Sequence, residues 1–94
     1  MTHDERVTGL LEANNKMVEM CRAYKAQLRK AHSKFMFYAA EHTKKADALE
    51  AGIKAVPAWE TVSQVAVEQM NASRAKAVAN EVMALEIEVV LAQY

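Results

Sequence analysis

VTGLLEANNKMVEMCRAYKAQLRKAHSKFMFYAAEHTKKADAL, running from Val7 to Leu49, is the stretch that decides the fold. Every seventh residue from Val7 gives Val7, Asn14, Cys21, Leu28, Phe35, His42 and Leu49. The same step from Leu10 gives Leu10, Met17, Tyr24, Ala31, Tyr38 and Lys45. Apolar residues alternately three and four apart make one stripe down a helix, and a stripe held over so many heptads asks for a partner helix. Asn14 is the kind of single polar residue in a stripe that fixes register in coiled coils; alternatively, Asn14-Asn15 marks a weak point or a solvent-facing kink.

The ends of this element carry their own signals. Thr2 with Glu5 three residues on is a capping box and predicts a start near His3 or Asp4. Gly9 costs roughly 1 kcal/mol against alanine and loosens the first turns. Gly52 has the place of a left-handed C-cap with Ile53 folding back on Leu49, so the first helix is expected over about 4–51. A connection over 52–57 follows. Pro57 suits the first turn of a second helix, expected over about 58–92 with Trp59 anchoring its start; Thr61 and Gln64 offer a later capping box.

The second helix has an inner face of Trp59, Val62, Ala66, Met70, Ser73, Ala77, Ala84, Ile87 and Leu91, close to a 3.6 period. Val78, Val82, Leu85 and Val89 add a second apolar face. The segment Leu85 to Val89 also alternates like a strand, but nothing else in the chain reads as a strand to pair with it. The fold class is therefore all-α: a long helix and a second helix as an antiparallel hairpin in one domain, 1–94, dimerising into a four-helix, coiled-coil arrangement. The expected dimer seam is Leu10, Asn14, Met17, Cys21, Tyr24, Leu28, Phe35 and Tyr38, with Val82, Leu85 and Val89.

Composition bounds the rest. Ninety-four residues with 52% apolar side chains make one ordered domain, near the lower size limit for an independent core. No uncharged apolar run approaches the ~18–20 residues of a membrane span, and the acidic start Met1 to Glu5 lacks a signal peptide's pattern. With Cys21 the single cysteine, no internal disulfide forms, and a cytoplasmic home is expected.

Net charge is zero but uneven. Arg22, Lys25, Arg29, Lys30 and Lys34 fall in a stretch without acids, whereas after Pro57 Glu60, Glu68, Glu81, Glu86 and Glu88 face only Arg74 and Lys76. Folding the chain about residue 55 sets Arg22 by Glu88, Lys25 by Glu86, and Arg29 or Lys30 by Glu81. These pairs would select the register.

The search for chemistry gives little. His32 and His42 have no second ligand at helical neighbour positions, so no metal or cofactor is expected; His42 is read as a half-buried seam residue, with a cross-chain site from two copies as the alternative. Cys21 lies by Arg22 and Lys25 but within the stripe, where cysteine acts as a small buried hydrophobe. There is no phosphate-binding glycine loop and no catalytic set of serine, histidine and acid, and an enzyme is not expected. The surface candidates are Arg22, Arg29, Lys30, Lys34, Met36 and Phe37. Exposed Met and Phe rimmed by arginine is the composition of a protein-binding hot spot. The alternatives are that Met36 and Phe37 pack under a neighbouring helix, and that the basic run contacts phosphates of a nucleic acid.

Leu10-Leu11-Glu12-Ala13-Asn14-Asn15, then a basic helix, then Phe37-Tyr38-Ala39-Ala40-Glu41-His42, resembles small helical proteins of phages and prophages, in particular the short early-region proteins of Mu-like phages. That group includes inhibitors of host machinery, among them one that blocks the ATPase driving type IV pilus assembly; others of similar size block CRISPR effector complexes. The resemblance covers the first half of the chain and transfers no binding residue. It implies a phage-encoded inhibitor of a host protein in the bacterial cytoplasm; the homodimer and the non-enzymatic character are expected from the residue pattern alone. A nucleic-acid-binding or anti-CRISPR protein and a self-assembling structural protein are the rivals.

Overall fold

In a computed structural model, which describes residues 2–93, the chain is two helices, α1 (His3–Lys54) and α2 (Gln64–Gln93), packed against each other as a hairpin. The Thr2–Glu5 capping box forms in both directions. The Thr2 hydroxyl accepts from the Glu5 amide at 3.2 Å, and the Glu5 carboxylate accepts from the Thr2 amide at 3.3 Å. Two of the amides left unpaired at a helix start are thereby satisfied. α1 runs straight through Gly9, and residues Leu85–Val89 are helical.

The turn departs from the sequence expectation. No glycine among the described residues takes a left-handed conformation, and Gly52 lies inside α1, which ends three residues beyond 51 on Ala55 in a right-handed conformation. Pro57 starts a tight turn, with the Glu60 amide donating to its carbonyl at 2.9 Å, and no helix follows until Gln64. Ser63 makes that start: its hydroxyl accepts from the Ala66 amide at 3.4 Å and its carbonyl from the Val67 amide at 3.2 Å. Serine is a stronger N-cap than any residue at 57–61, Thr61 included, and its place sets the boundary. Trp59 therefore sits in the connection, 85% exposed, and anchors nothing.

The longer connection moves the fold point from about 55 to about 60. His32 Nε2 lies 2.8 Å from a Glu88 carboxylate oxygen, and Arg74 reaches Asp47 at 3.3 Å and Glu50 at 2.5 Å. The numbers of these partners sum to between 120 and 124. The expected pairing of Arg22 with Glu88, Lys25 with Glu86 and Arg29 or Lys30 with Glu81 is overturned by this register, which takes Glu88 to His32 and sets Glu81 and Glu86 level with residues near 39 and 34. At ~0–1 kcal/mol for each exposed pair, these contacts select the register more than they stabilise it.

Stability comes from the seam. On α1 the covered positions are Leu28, His32, Phe35, Ala39, His42, Ala46, Leu49 and Ile53, three and four apart. On α2 they are Ala66, Met70, Ser73, Ala77, Ala84, Ile87 and Leu91, the expected inner face without Trp59 and Val62, which lie in the connection. Its most buried members are small: Ala39, Ala46, Ser73, Ala77 and Ala84. Small residues let two helices come to the near end of the usual 8–10 Å spacing, so each contact is close and intolerant of added volume. Ala46→Leu and Ala84→Leu are each expected to lower unfolding free energy by about 1–3 kcal/mol. Lys45→Leu, one residue away and exposed, should change it by less than about 0.5 kcal/mol. Urea titration followed by circular dichroism reads all three.

Candidate functional site

The two helices differ in length, and that difference creates the surface. At ~1.5 Å per residue α1 is about 78 Å long and α2 about 45 Å. With the register found, α2 ends level with residue 27 or a little beyond, and the part of α1 before it projects from the hairpin. The particle is accordingly elongated, 88 × 18 × 13 Å. Along the projection Leu10, Leu11, Met17, Met20 and Tyr24 are exposed, Leu10 to 71% and Met17 to 65%. Cys21 and Asn14 are exposed as well. The buried reading of Cys21 does not hold within one chain.

Of the residues expected in a dimer seam, Leu28 and Phe35 are half-buried on the face that the chain's own α2 covers. Tyr38 is on another side of α1, 46% exposed, because the covered row passes through Ala39 instead. An α-helix of 3.6 residues per turn drifts ~20° per heptad from a strict seven-residue repeat. The row that starts on Leu10, Met17 and Tyr24 has therefore slipped by one residue when it reaches Ala39 and Ala46. Val82, Leu85 and Val89 are exposed with Val78 on the far side of α2 from α1. The two uncovered stripes thus face different ways, and no single helix can cover both.

The basic and aromatic candidates form a third surface. Phe37 and Tyr38 meet edge to face, with ring centres 5.7 Å apart and planes at 68°. Together with Arg29, Lys30 and Lys34 they line an open hollow of about 880 Å³ on the bare side of α1. Phe37 is 60% exposed, and Met36 is exposed on the neighbouring row, seven residues after Arg29 and fourteen after Arg22. Among the described residues, the ion pairs use His32, Lys54 and Arg74 and none of Arg22, Arg29, Lys30 or Lys34. Tyr38 belongs to this cluster; the heptad assignment had hidden it in the seam.

A second hollow, about 490 Å³ and mainly apolar, opens where α2 stops, between Cys21, Tyr24 and Leu28 on α1 and Val90 and Leu91 on α2. His42 is half-buried in the hairpin seam, and among the described residues no group of three or more His, Cys, Asp and Glu is placed to hold a metal ion. Among the described residues, no helix is long and apolar enough to cross a membrane. In comparisons with known proteins, no family model, no curated protein and no solved structure matches the chain.

Placement of the two neighbouring phenylalanines gives a direct check on this surface. Phe37→Ala should leave stability within about 0.5 kcal/mol of the parent, as an exposed site does. Phe35→Ala should cost about 2–3 kcal/mol, less than the ~3–5 of a fully buried ring. Equal costs in thermal or urea unfolding would contradict the orientation of α1 given above.

Proposed function

We propose that this chain is a non-enzymatic protein-binding module that associates with itself and docks on a larger acidic partner. The observation that carries the second half is the exposed Phe37–Tyr38 pair set beside Arg29, Lys30 and Lys34. Aromatic rings at the centre of a contact supply most of its energy, and a rim of unpaired cations speeds encounter with an acidic surface. Met36 and Arg22 extend that surface along the next row. The self-association half is supported by the apolar side chains that one chain leaves in water, Leu10, Met17 and Tyr24 on α1 and Val82, Leu85 and Val89 on α2. An isolated helical projection has little to hold it in water, and a coiled-coil contact with a second copy supplies what is missing.

The resemblance of the first half to early-region proteins of Mu-like phages extends this reading to a phage-encoded inhibitor whose partner is a host protein, such as a pilus-assembly ATPase, in the bacterial cytoplasm. Occlusion of a partner surface needs no catalytic group, and a rigid helical rod with a lateral patch is suited to it.

The rival use of the same cations is contact with nucleic-acid phosphates. Two measurements separate them. Pull-down from a bacterial lysate with the parent chain and with an Arg29→Ala, Phe37→Ala variant should lose a specific protein in the variant; identical catches contradict the proposed surface. Titration with duplex and single-stranded DNA should show weak binding. Tight binding that falls steeply with salt, without a protein partner, would favour the nucleic-acid reading.

A further inference from the structure

We infer that the projecting half of α1 pairs with the same segment of a second copy, antiparallel, in a register where the numbers of facing core residues sum to 31. This rests on the self-association proposed above and gives it a geometry. The first argument is continuity. Leu10, Asn14, Met17, Cys21 and Tyr24 alternate four and three apart and lead without a break into Leu28, His32 and Phe35, which α2 covers. The bare stripe is the same track that α2 occupies further along, so its occupant lies in line with α2, end to end.

The second argument is length and direction. A helix in that track must stop where α2 begins to occupy it, level with about residue 27. A parallel partner would run on through the volume that α2 fills. An antiparallel partner arrives with its amino terminus: in this register the partner's His3 comes level with Leu28, its first turn seated in the apolar hollow between Tyr24, Leu28 and Leu91. The track is filled from end to end, and neither α2 is displaced.

The third argument is the chemistry of the layers. Facing layers become Val7 with the partner's Tyr24, Leu10 with the partner's Cys21, and Asn14 with the partner's Met17, each occurring twice by symmetry. On one flank Leu11 meets the partner's Val18 and on the other Ala13 meets the partner's Met20. Val7, Leu10, Leu11, Met17, Val18, Met20 and Tyr24, all exposed in one chain, are then covered together. Asp4, in the acidic first turn, is brought level with the partner's basic stretch, near the partner's Arg29, whereas a parallel pair would stack Asp4 and Glu5 on their own copies. The product is a ribbon two helices wide, in which the two α1 helices together span roughly 115 Å. It leaves the Phe37–Tyr38 hollow and the outer stripe of α2 open.

Disulfide trapping tests this, because Cys21 is the sole native thiol. In the proposed register it lies level with the partner's Leu10, and the two copies of Cys21 are about 16 Å apart. Under mild oxidation the parent dimer should stay uncross-linked, while Leu10→Cys should give a covalent dimer in most of the sample. A Cys21→Ser, Val7→Cys, Tyr24→Cys chain, whose two thiols lie too far apart along one helix to pair within a chain, should do the same and guards against a Leu10 variant that dissociates. Sedimentation of the parent at about 100 µM should give a dimer. A monomer there overturns the self-association itself. A dimer that cross-links through Cys21 alone, or in which neither engineered pair forms, overturns the antiparallel overlap and leaves self-association to another face.

Discussion

α2 is too short for α1, and most of the molecule's behaviour follows from that mismatch. Two helices of 52 and 30 residues in antiparallel contact leave about twenty-four residues of the longer one without a neighbour. Helical stability in proteins comes mostly from packing of an amphipathic face rather than from intrinsic propensity. Here the apolar face is present and in line with the covered one, so the sequence is written for a track longer than its own second helix can fill.

The hairpin that remains is held by close approach of small residues. Ala39 and Ala46 on one helix, with Ser73, Ala77 and Ala84 on the other, make a thin seam without any large fully buried side chain. Such a seam defines distance and register sharply but removes little apolar area from water, and area is what stabilises a small domain. A chain of this kind gains by meeting another. The ion pairs from Arg74 to Asp47 and Glu50, and the hydrogen bond between His32 and Glu88, fix which way the two helices slide.

How far the sequence could be read depended on residue size and on the turn. The Thr2–Glu5 capping box, the long uninterrupted first helix and the inner face from Ala66 to Leu91 are all local patterns, and local patterns survive folding. The register was not legible, because Gly52 and Pro57 are the residues that usually mark a turn while Ser63, an unremarkable residue in the sequence, is the one that caps α2. An error of a few residues at a hairpin turn doubles along its legs, which is why the charge pairs moved by about ten. Ala39 and Ala46 escaped notice for a different reason: alanine is common on every face of a helix, so a small-residue contact row does not stand out from a row of exposed ones. Tyr38 was placed in the seam by counting sevens, and the drift of a 3.6-residue helix carried it out beside Phe37. The composition of Phe37 beside Arg29, Lys30 and Lys34 needed only neighbouring positions to be seen.

The central claim is that the first half of α1 is helical because a second copy covers it. Amide hydrogen exchange at two protein concentrations tests this most directly. At hundreds of micromolar the amides of residues 7–24 should be protected nearly as well as those of the 28–53 segment. On dilution below the dissociation constant their protection should collapse while that of 28–53 persists. Protection of residues 7–24 that does not change with dilution would contradict the claim.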